Sequence, residues 1–199
     1  ALTISLWIKP SDVNSDWDYI IGKGDLSSGT QSYALYQKNT NGILRFELEG
    51  ASGSRAETTT ALINERWYHI ACTYDKIKTK IYIDGDLEAE ASYSTAVGTN
   101  TENLHIGIGQ TTGNAWNGKI SDLAMYNSTL TASQVKTIYN GREPYNHKEG
   151  IAVSNLVGWW RMGDGVENHT GTTIYDMSLN SNNGTITNMA LDDFTGDTP

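Results

Sequence analysis

Residues 66–87, RWYHIACTYDKIKTKIYIDGDL, alternate apolar and polar side chains with a period of two. In the first part of this stretch, the residues that share one face are Tyr68, Ile70, Cys72 and Tyr74. Alternate residues point to the same side of a β-strand, so this pattern indicates a strand with one face in a core. Turn residues follow at 75–77 and at Asp84-Gly85, where glycine tolerates the positive φ of a tight hairpin. The stretch therefore predicts three consecutive antiparallel strands.

The same alternation recurs along the chain as far as residue 126. Outside the stretch above, it predicts strands at 2–8, 19–22, 33–37, 43–49, 104–108 and 118–126. One helix is predicted in LTASQVKTIYNG, where Thr131 and Gln134 form a capping box and Gly141 supplies the stop. Many short strands with one short helix predict an all-β fold, a two-sheet antiparallel jelly-roll sandwich.

The composition argues against several kinds of partner. The chain of 199 residues has a formal net charge of −9, whereas nucleic-acid binding needs clustered Lys and Arg. No apolar run approaches the ~18 residues of a membrane span, so we expect no membrane insertion. The single cysteine, Cys72, excludes an internal disulfide and is expected in the core. Because the sequence begins directly on a strand pattern, we expect it to be part of a longer protein.

The order of these motifs resembles the laminin-G-like (concanavalin A-like) family. The motifs that carry the resemblance are WYHIACTYD (67–75), the IYIDG hairpin (81–85) and NGKISDLAMYN (117–127) followed by the capped helix. The resemblance extends over residues 1–143. It implies two curved antiparallel sheets, non-catalytic binding of carbohydrate or protein, and often one Ca²⁺ at the rim of the sandwich.

The C-terminal segment departs from the usual order of that family. Segments that resemble LVGWWRMGDG and DMSLNSNNGT usually precede the first strand, whereas here they follow the last one. In one arrangement, residues 151–199 supply closing strands to a single domain that spans 1–199. In the other, residues 1–143 form the domain and the tail begins a second repeat. We favour the single domain, because a truncated copy would leave Trp159 and Trp160 without a partner sheet.

The polar part of this tail carries candidate metal ligands. Ca²⁺ prefers about six to eight oxygen ligands from carboxylates, amide side chains and carbonyls. The candidates in one loop are Asp176, Asn180 and Asn182, with Asn183 beside them. Asp122 joins them from a neighbouring strand if the tail docks there. The sequence thus predicts a calcium site, and the alternative is an Asx-rich turn whose side chains cap their own backbone.

Two other loops carry candidate sugar-binding residues. Sugar sites combine an aromatic ring, which stacks on C–H groups, with polar side chains that bond to hydroxyls. The first loop contains Trp17, Asp18 and Tyr19, and the second contains Asn114 and Trp116. The family resemblance implies that Trp116 packs inward, so Trp17 is the stronger candidate. Each ring also suits a place in the core.

These observations predict a non-catalytic binding and adhesion module whose ligand is a carbohydrate or a surface protein. The tail resembles phage and bacterial surface proteins, which implies an extracellular or virion-surface location beside other subunits of a larger assembly. One alternative is a purely structural virion module. The other is a glycoside hydrolase of the glucanase type, for which the candidate carboxylates are Glu47 and Glu49, or Asp86, Glu88 and Glu90.

Overall fold

The structure is a computed structural model of the chain. It describes residues 1–14, 17–25, 29–38, 41–49, 54–109, 114–162, 169–170, 172–187, 193–194 and 196–199. Within these ranges the strands are β1 (Leu2–Pro10), β2 (Tyr19–Lys23), β3 (Tyr33–Lys38), β4 (Ile43–Leu48), β5 (Ser54–Glu57), β6 (Tyr68–Tyr74), β7 (Lys78–Ile83), β8 (Asp86–Ser92), β9 (Leu104–Ile106), β10 (Gly118–Tyr126), β11 (Leu156–Trp160), β12 (His169–Thr170), β13 (Thr173–Ile174) and β14 (Gly184–Thr185). The helical segments are α1 (Ala132–Tyr139) and a 3₁₀ turn at Val153–Asn155.

The strands form two large antiparallel sheets and one small one. The six-stranded sheet has the order β11-β10-β1-β6-β7-β8, and the five-stranded sheet has the order β5-β4-β3-β2-β9. A three-stranded sheet, β12-β13-β14, lies in the C-terminal segment. Neighbouring strands of both large sheets run antiparallel throughout. The predicted all-β jelly-roll sandwich is confirmed.

The main core lies between the two large sheets. From β1 it receives Leu2, Ile4, Leu6 and Ile8, which alternate along the strand as the sequence predicts. Opposite them, the five-stranded sheet contributes Leu35 on β3 and Phe46 on β4, both fully buried. Each such side chain stabilises the fold by about 1.5–3 kcal/mol on burial. The inward side chains of both sheets are therefore committed to this core, and ligand contacts have to come from outward side chains or from loops.

A second apolar cluster covers the side of the six-stranded sheet that points away from the five-stranded sheet. Helix α1 contributes Val135 and Ile138, and the sheet contributes Tyr82, Tyr126 and Trp159. Because this cluster buries the face under the helix, the described side chains of that face pack against one another.

Helix α1 begins with the capping box that the sequence predicts. Thr131 Oγ1 accepts a hydrogen bond from the main-chain nitrogen of Gln134 at 3.2 Å, and Gln134 Oε1 accepts one from Thr131 N at 2.8 Å. The helix ends at Asn140, whose φ of 52° is left-handed, one residue before the predicted Gly141. Asn adopts this conformation more readily than most residues, since its short side chain bonds locally. Within the described ranges, no helix has the length and apolar character needed to cross a membrane.

Strand β5 was not predicted, and strand β4 ends one residue earlier than predicted. Strand β5 has four residues, of which Ser54 and Ala56 face inward while Arg55 points outward. Such small inward residues give no apolar alternation, so the sequence pattern does not reveal the strand. Strand β4 ends at Leu48, because Glu49 adopts a left-handed φ of 51° and leaves the pleat.

The C-terminal segment returns to the six-stranded sheet. Strand β11 pairs with β10, with Leu123 opposite Trp160 and Ala124 opposite Trp159. Trp160 faces the core between the sheets, and Trp159 faces the cluster under α1. Gly158 leaves room for the Trp160 ring, since an added Cβ would overlap it. This pairing is what the single-domain arrangement requires, and the division into domains stays a prediction that proteolysis tests.

Candidate functional site

Strand register arranges the outward side chains of the five-stranded sheet in two rows. Because Leu35, Phe46 and Ala56 face the core, their sequence neighbours point outward. One row crosses the sheet through Gly22, Ala34, Glu47 and Arg55. The next row crosses it through Tyr19, Tyr36, Arg45 and Glu57. We call the surface formed by these two rows and Trp17 the outer face.

Three aromatic rings gather on the outer face, and we call Trp17, Tyr19 and Tyr36 the aromatic cluster. The ring centroids of Tyr19 and Tyr36 are 5.2 Å apart in a stacked pair, and those of Trp17 and Tyr36 are 5.6 Å apart. The guanidinium carbon of Arg45 lies 5.4 Å from the Trp17 ring centroid, within cation–π range. Tyr36 is 2% exposed, whereas Trp17 and Tyr19 are half-buried. A ligand would therefore meet the rings of Trp17 and Tyr19 first.

The backbone at Trp17 is strained. Its φ of 54° lies in the left-handed region, which bulky side chains rarely adopt. The next residue, Asp18, is 5% exposed, and its main-chain oxygen accepts a hydrogen bond from Gln37 N at 2.9 Å. Strained residues held by well-anchored neighbours occur often at functional sites, which adds weight to this loop.

A buried carboxylate lies beside the aromatic cluster. Glu47 is fully buried, and its Oε2 accepts a hydrogen bond from the Tyr36 hydroxyl at 2.6 Å. Arg55 Nε lies 3.5 Å from the same oxygen. Burial raises the pKa of Tyr36, and the hydrogen bond to Glu47 raises it further. The hydroxyl therefore stays protonated and holds the Tyr36 ring at the surface of the sheet.

Glu57 neutralises the other cations of the outer face. Its Oε2 accepts hydrogen bonds from Arg45 Nε at 2.9 Å and from a terminal nitrogen of Arg45 at 2.6 Å, while Oε1 accepts one from Lys38 Nζ at 2.9 Å. Burial acts to raise the pKa of Glu57, but the hydrogen bonds from Lys38 and Arg45 outweigh it, and the pKa is lowered. Glu57 is thus held ionised between two cations.

The structure brings together four of the five predicted sugar-binding residues. Trp17, Asp18 and Tyr19 form the entry to β2, and the main-chain oxygen of Asn114 accepts a hydrogen bond from Tyr19 N at 3.3 Å. Trp116 lies apart, in the core between the sheets, where it is 8% exposed. Its indole fills apolar space there, as the family resemblance implies, so Trp116 is not on the outer face.

The sequence pattern does not single out Tyr36, Arg45 or Arg55. Alternation in the predicted strands shows that Tyr36 and Arg45 point away from the core, but not that they lie opposite each other. Arg55 had no signal, because β5 was not predicted. The register between the consecutive strands β2, β3, β4 and β5 brings these side chains beside Tyr19 and Trp17.

The carboxylate of Asp176 is surrounded by donors from its own loop and from β11. Oδ1 accepts hydrogen bonds from the main-chain nitrogens of Trp159 and Ser178, each at 2.8 Å. Oδ2 accepts from Ser178 Oγ at 2.8 Å and from Asn182 N at 2.9 Å. These four bonds match the acceptor capacity of a carboxylate. Asp176 therefore organises a turn, which is the alternative that the sequence left open.

Asn180 and Asn182 turn their amide nitrogens toward the edge strand β11. Asn180 Nδ2 donates to the main-chain oxygen of Leu156 at 2.8 Å, and Asn182 Nδ2 donates to that of Val157 at 2.8 Å. These bonds satisfy carbonyls on the free edge of the sheet, which would otherwise be open to pairing with another chain. The loop thus protects the edge of the six-stranded sheet.

Asp122 belongs to a separate buried network. Its Oδ1 accepts a hydrogen bond from the indole nitrogen of Trp159 at 2.6 Å, and its Oδ2 lies 3.4 Å from His147 Nε2. His147 Nδ1 is 2.6 Å from the Tyr126 hydroxyl. In the part of the chain that the structure describes, no group of three or more His, Cys, Asp or Glu is arranged to hold a metal. As arranged here, Asp122 and the residues around Asp176 do not form an oxygen cage, and calcium binding stays a prediction.

The carboxylates considered for hydrolysis do not share one face. Glu47 lies on the outer face, whereas Glu49 has left the strand at its left-handed backbone position. The second set, Asp86, Glu88 and Glu90, lies on β8 in the other sheet. The side chain of Asp86 is 80% exposed, as a charged solvent-facing strand requires.

The chain belongs to the concanavalin A-like lectin/glucanase superfamily, whose family model matches residues 1–136. The resemblance in the sequence motifs is therefore confirmed. Among curated proteins, the adhesion G-protein coupled receptor V1 of Danio rerio is 25% identical over 153 residues, which cover 69% of this chain and 2% of the receptor.

Solved structures share the fold. A Bacteroides ovatus protein provisionally assigned as carbohydrate-binding superposes with a TM-score of 0.72 at 22% identity, over 92% of this chain and 51% of that one. Domain 4 of an extracellular GH43 arabinanase from Geobacillus stearothermophilus, in complex with arabinotriose, gives a TM-score of 0.52 at 22% identity, over 69% of this chain and 66% of that one. The chain thus spans about half of the Bacteroides protein and a small part of the receptor. The proteins with this fold thus include one that is assigned as carbohydrate-binding and one that is a domain of a glycosidase.

Proposed function

We propose that this chain is a non-catalytic carbohydrate-binding module whose site is the outer face of the five-stranded sheet. The aromatic cluster carries the proposal. Trp17 and Tyr19 present half-buried rings, and Tyr36 supports both from below at 5.6 and 5.2 Å. Sugar rings stack their C–H groups on such aromatic surfaces. Aromatic rings that are held on a rigid sheet are well suited to this contact.

The polar side chains around the cluster are held in place before any ligand arrives. Arg45 is 9% exposed and bonded to Glu57 through two nitrogens. Tyr36 is fixed by its hydrogen bond to Glu47. Side chains that are already ordered lose little conformational entropy when a ligand binds, so a preorganised face supports useful affinity from a small contact area.

The carboxylates of the outer face support binding without cleavage. Most glycosidases use a pair of carboxyl groups, one of which is a protonated general acid with a raised pKa. Burial acts to raise the pKa of Glu57, but the hydrogen bonds from Lys38 and Arg45 lower it overall, so Glu57 is unsuited to the acid role. Glu47 is fully buried and already accepts a hydrogen bond from the Tyr36 hydroxyl.

We further propose that the module acts in adhesion at a cell or virion surface, outside the cell, as part of a longer protein. The similarity to a receptor named for adhesion and to a domain of an extracellular enzyme supports this setting. The partner is then a glycan, free or carried by a surface protein, with other subunits of the assembly nearby. A purely structural virion module is the alternative.

A glycan array tests the proposal directly. The chain is applied with calcium and with a chelator, beside the variants Trp17→Ala and Tyr175→Ala, where Tyr175 is a half-exposed aromatic residue outside the outer face. We expect binding to a defined class of glycans that is lost in Trp17→Ala and kept in Tyr175→Ala. Loss of binding with the chelator would support the calcium prediction. Failure to bind any glycan in either condition would reject the module as a lectin and favour the structural alternative.

A further inference from the structure

The outer face contains an acceptor that the protein does not use. Glu47 Oε1 is buried, and within the described part of the chain no hydrogen-bond donor reaches it. The other oxygen of the same carboxylate accepts from Tyr36 at 2.6 Å, so the side chain itself is well placed. Buried polar atoms usually have a partner, and on a candidate binding face this exception provides an acceptor that a ligand can use.

The neighbouring side chain is an unused donor. Arg55 lies directly opposite Glu47 in the register of β4 and β5, and its side chain is 40% exposed. Its contact to Glu47 Oε2, at 3.5 Å through Nε, is longer than the about 2.7–2.9 Å of a strong charged hydrogen bond. Among the described residues, no hydrogen bond holds its two terminal nitrogens. Arg45 differs, since Glu57 bonds it through two nitrogens.

We propose that Glu47 and Arg55 together anchor two adjacent hydroxyl groups of a neutral sugar, which makes the site selective for neutral over acidic glycans. This inference rests on the carbohydrate-binding function proposed above. One hydroxyl donates to Glu47 Oε1, and the oxygen of its neighbour accepts from a terminal nitrogen of Arg55. Because Glu47 is fully buried, the hydroxyl reaches it only when the exposed Arg55 side chain turns aside, which its single long contact permits.

The position of the pair relative to the rings suits one bound sugar. Tyr36 joins the two parts, since its ring packs against Trp17 and Tyr19 while its hydroxyl donates to Glu47. A sugar stacked on the exposed rings would thus have its hydroxyl edge toward the Glu47–Arg55 pair. Aromatic stacking supplies contact area, and the two polar groups fix the orientation.

The charges of the pair favour a neutral ligand. An ionised carboxylate or sulfate has no proton to donate to Glu47 Oε1 and would lie beside a like charge. Lys38 and Arg45 both donate hydrogen bonds to Glu57, so these nitrogens are already engaged within the protein. The net charge of −9 on the chain also opposes the approach of a polyanion.

The test uses matched neutral and acidic trisaccharides on the full chain: galactotriose and trigalacturonate, mannotriose and trimannuronate. Affinities are measured by calorimetry for the wild type, Glu47→Gln and Arg55→Met, with Glu88→Gln on the opposite sheet as the control variant. Thermal denaturation verifies that each variant is folded. Arg55→Met changes an exposed side chain, so it stays informative even if Glu47→Gln unfolds.

We expect the wild type to bind a neutral trisaccharide at least tenfold more tightly than its uronate partner. Arg55→Met should weaken neutral binding by about tenfold, and Glu47→Gln should weaken it similarly while narrowing the preference over the uronate, because the like charge is gone. Wild-type affinity in both folded variants, or a preference for the uronate, would overturn this inference and leave the lectin function standing. A wild type that binds none of these sugars and nothing on the glycan array would reject both proposals.

Discussion

The two large sheets carry similar outward side chains, but they differ in what lies on top of them. On the six-stranded sheet, Asp122 and His147 are 3% and 1% exposed, and Trp159 packs with them under the helix side of the sandwich. On the five-stranded sheet, the rings of Trp17 and Tyr19 are half-buried above the buried side chains of Tyr36 and Glu47. Both layers combine aromatic rings with buried carboxylates. We call the layer on the six-stranded sheet the closed layer, and the layer that carries the proposed binding site the open layer.

The difference shows how one alternation pattern serves two purposes. In the closed layer, Asp122 accepts a hydrogen bond from the Trp159 indole and faces His147. These contacts hold residues 144–160, which we call the covering segment, to the sheet. In the open layer, Glu47 Oε1 and Arg55 keep unused capacity within the described residues. Changes in the closed layer should therefore affect stability, and changes in the open layer should affect affinity.

Removal of the covering segment should have the largest effect. A chain that ends at residue 143 lacks β11, so β10 becomes an open edge and the core loses Trp160. We expect limited proteolysis within residues 144–150 to be followed by rapid degradation of the 1–143 fragment, and the isolated fragment to lack a cooperative unfolding transition. A folded and protease-resistant 1–143 fragment would show instead that the tail belongs to a second repeat.

Trp159→Ala should have the next largest effect. The substitution leaves a cavity in the cluster under α1 and removes the indole donor of Asp122. A buried Trp→Ala change costs about 3–5 kcal/mol of the free energy of unfolding. Urea denaturation measures this loss. Under conditions in which the variant is folded, its glycan affinity should match that of the wild type. Weakened glycan binding with unchanged stability would reverse the roles assigned to the two layers.

His69 should make the closed layer sensitive to acid. His69 lies on β6 and is 1% exposed. Burial and, to a smaller extent, the charge of His147 lower its pKa to about 3, although Asp122 acts to raise it. In the unfolded chain a histidine titrates near pH ~6.5, so between these two values the unfolded state binds more protons. Stability therefore falls as the pH drops from about 6.5 toward 3. Across this window, the urea midpoint should depend less steeply on pH in His69→Gln than in the wild type. An equal pH dependence in the two proteins would contradict the prediction.

Trp17→Ala should change stability little. The Trp17 ring is half-buried on the open layer, so we expect a change in the free energy of unfolding of about 1 kcal/mol or less. Glycan affinity should fall by about tenfold or more, since exposed Trp side chains dominate binding energy at many interfaces. Paired urea and calorimetry experiments separate the two effects. A large loss of stability would mean that Trp17 belongs to the core.

Asp197→Asn should have the smallest effect. Hydrogen bonds from Lys119, Lys9 and Trp67 lower the pKa of Asp197. A lowered folded-state pKa contributes stability above the unfolded value of about 3.9, and this is lost as the pH falls through the folded value. Because the side chain is 37% exposed, water screens the interaction, and at most about 1 kcal/mol is expected. The difference in Tm between the Asp197→Asn variant and the wild type should be present at pH 7 and should shrink in acid. A difference that does not change with pH would argue against the ion pairs.

Much of the fold was predictable from local patterns. The period-two runs located nine of the strands, and the box formed by Thr131 and Gln134 located the helix. Strand β5 was missed because Ser54 and Ala56 are too small to produce an apolar signal. The boundary at Glu49 was missed because a left-handed residue at a strand end leaves no mark in the hydrophobic pattern.

The candidate site was predictable only in part. Trp17 and Tyr19 were identified from a loop aromatic pattern, whereas Trp116 has the same local pattern and lies in the core. The Asx-rich segment around Asp176 was equally ambiguous, since the residues that bind calcium also cap turns and edge carbonyls. Local composition does not distinguish these uses.

Side-chain alternation and capping depend on residues close together in the chain, so the sequence sufficed for the two-sheet sandwich, its helix and the family. The meeting of Tyr36, Glu47 and Arg55 depends on register between β3, β4 and β5. Which outer face is covered depends on where α1 and β11 pack. The register joins consecutive strands within residues 33–57, whereas the packing of α1 and β11 joins residues far apart in the chain. Only the tertiary structure shows which side chains each of these arrangements brings together.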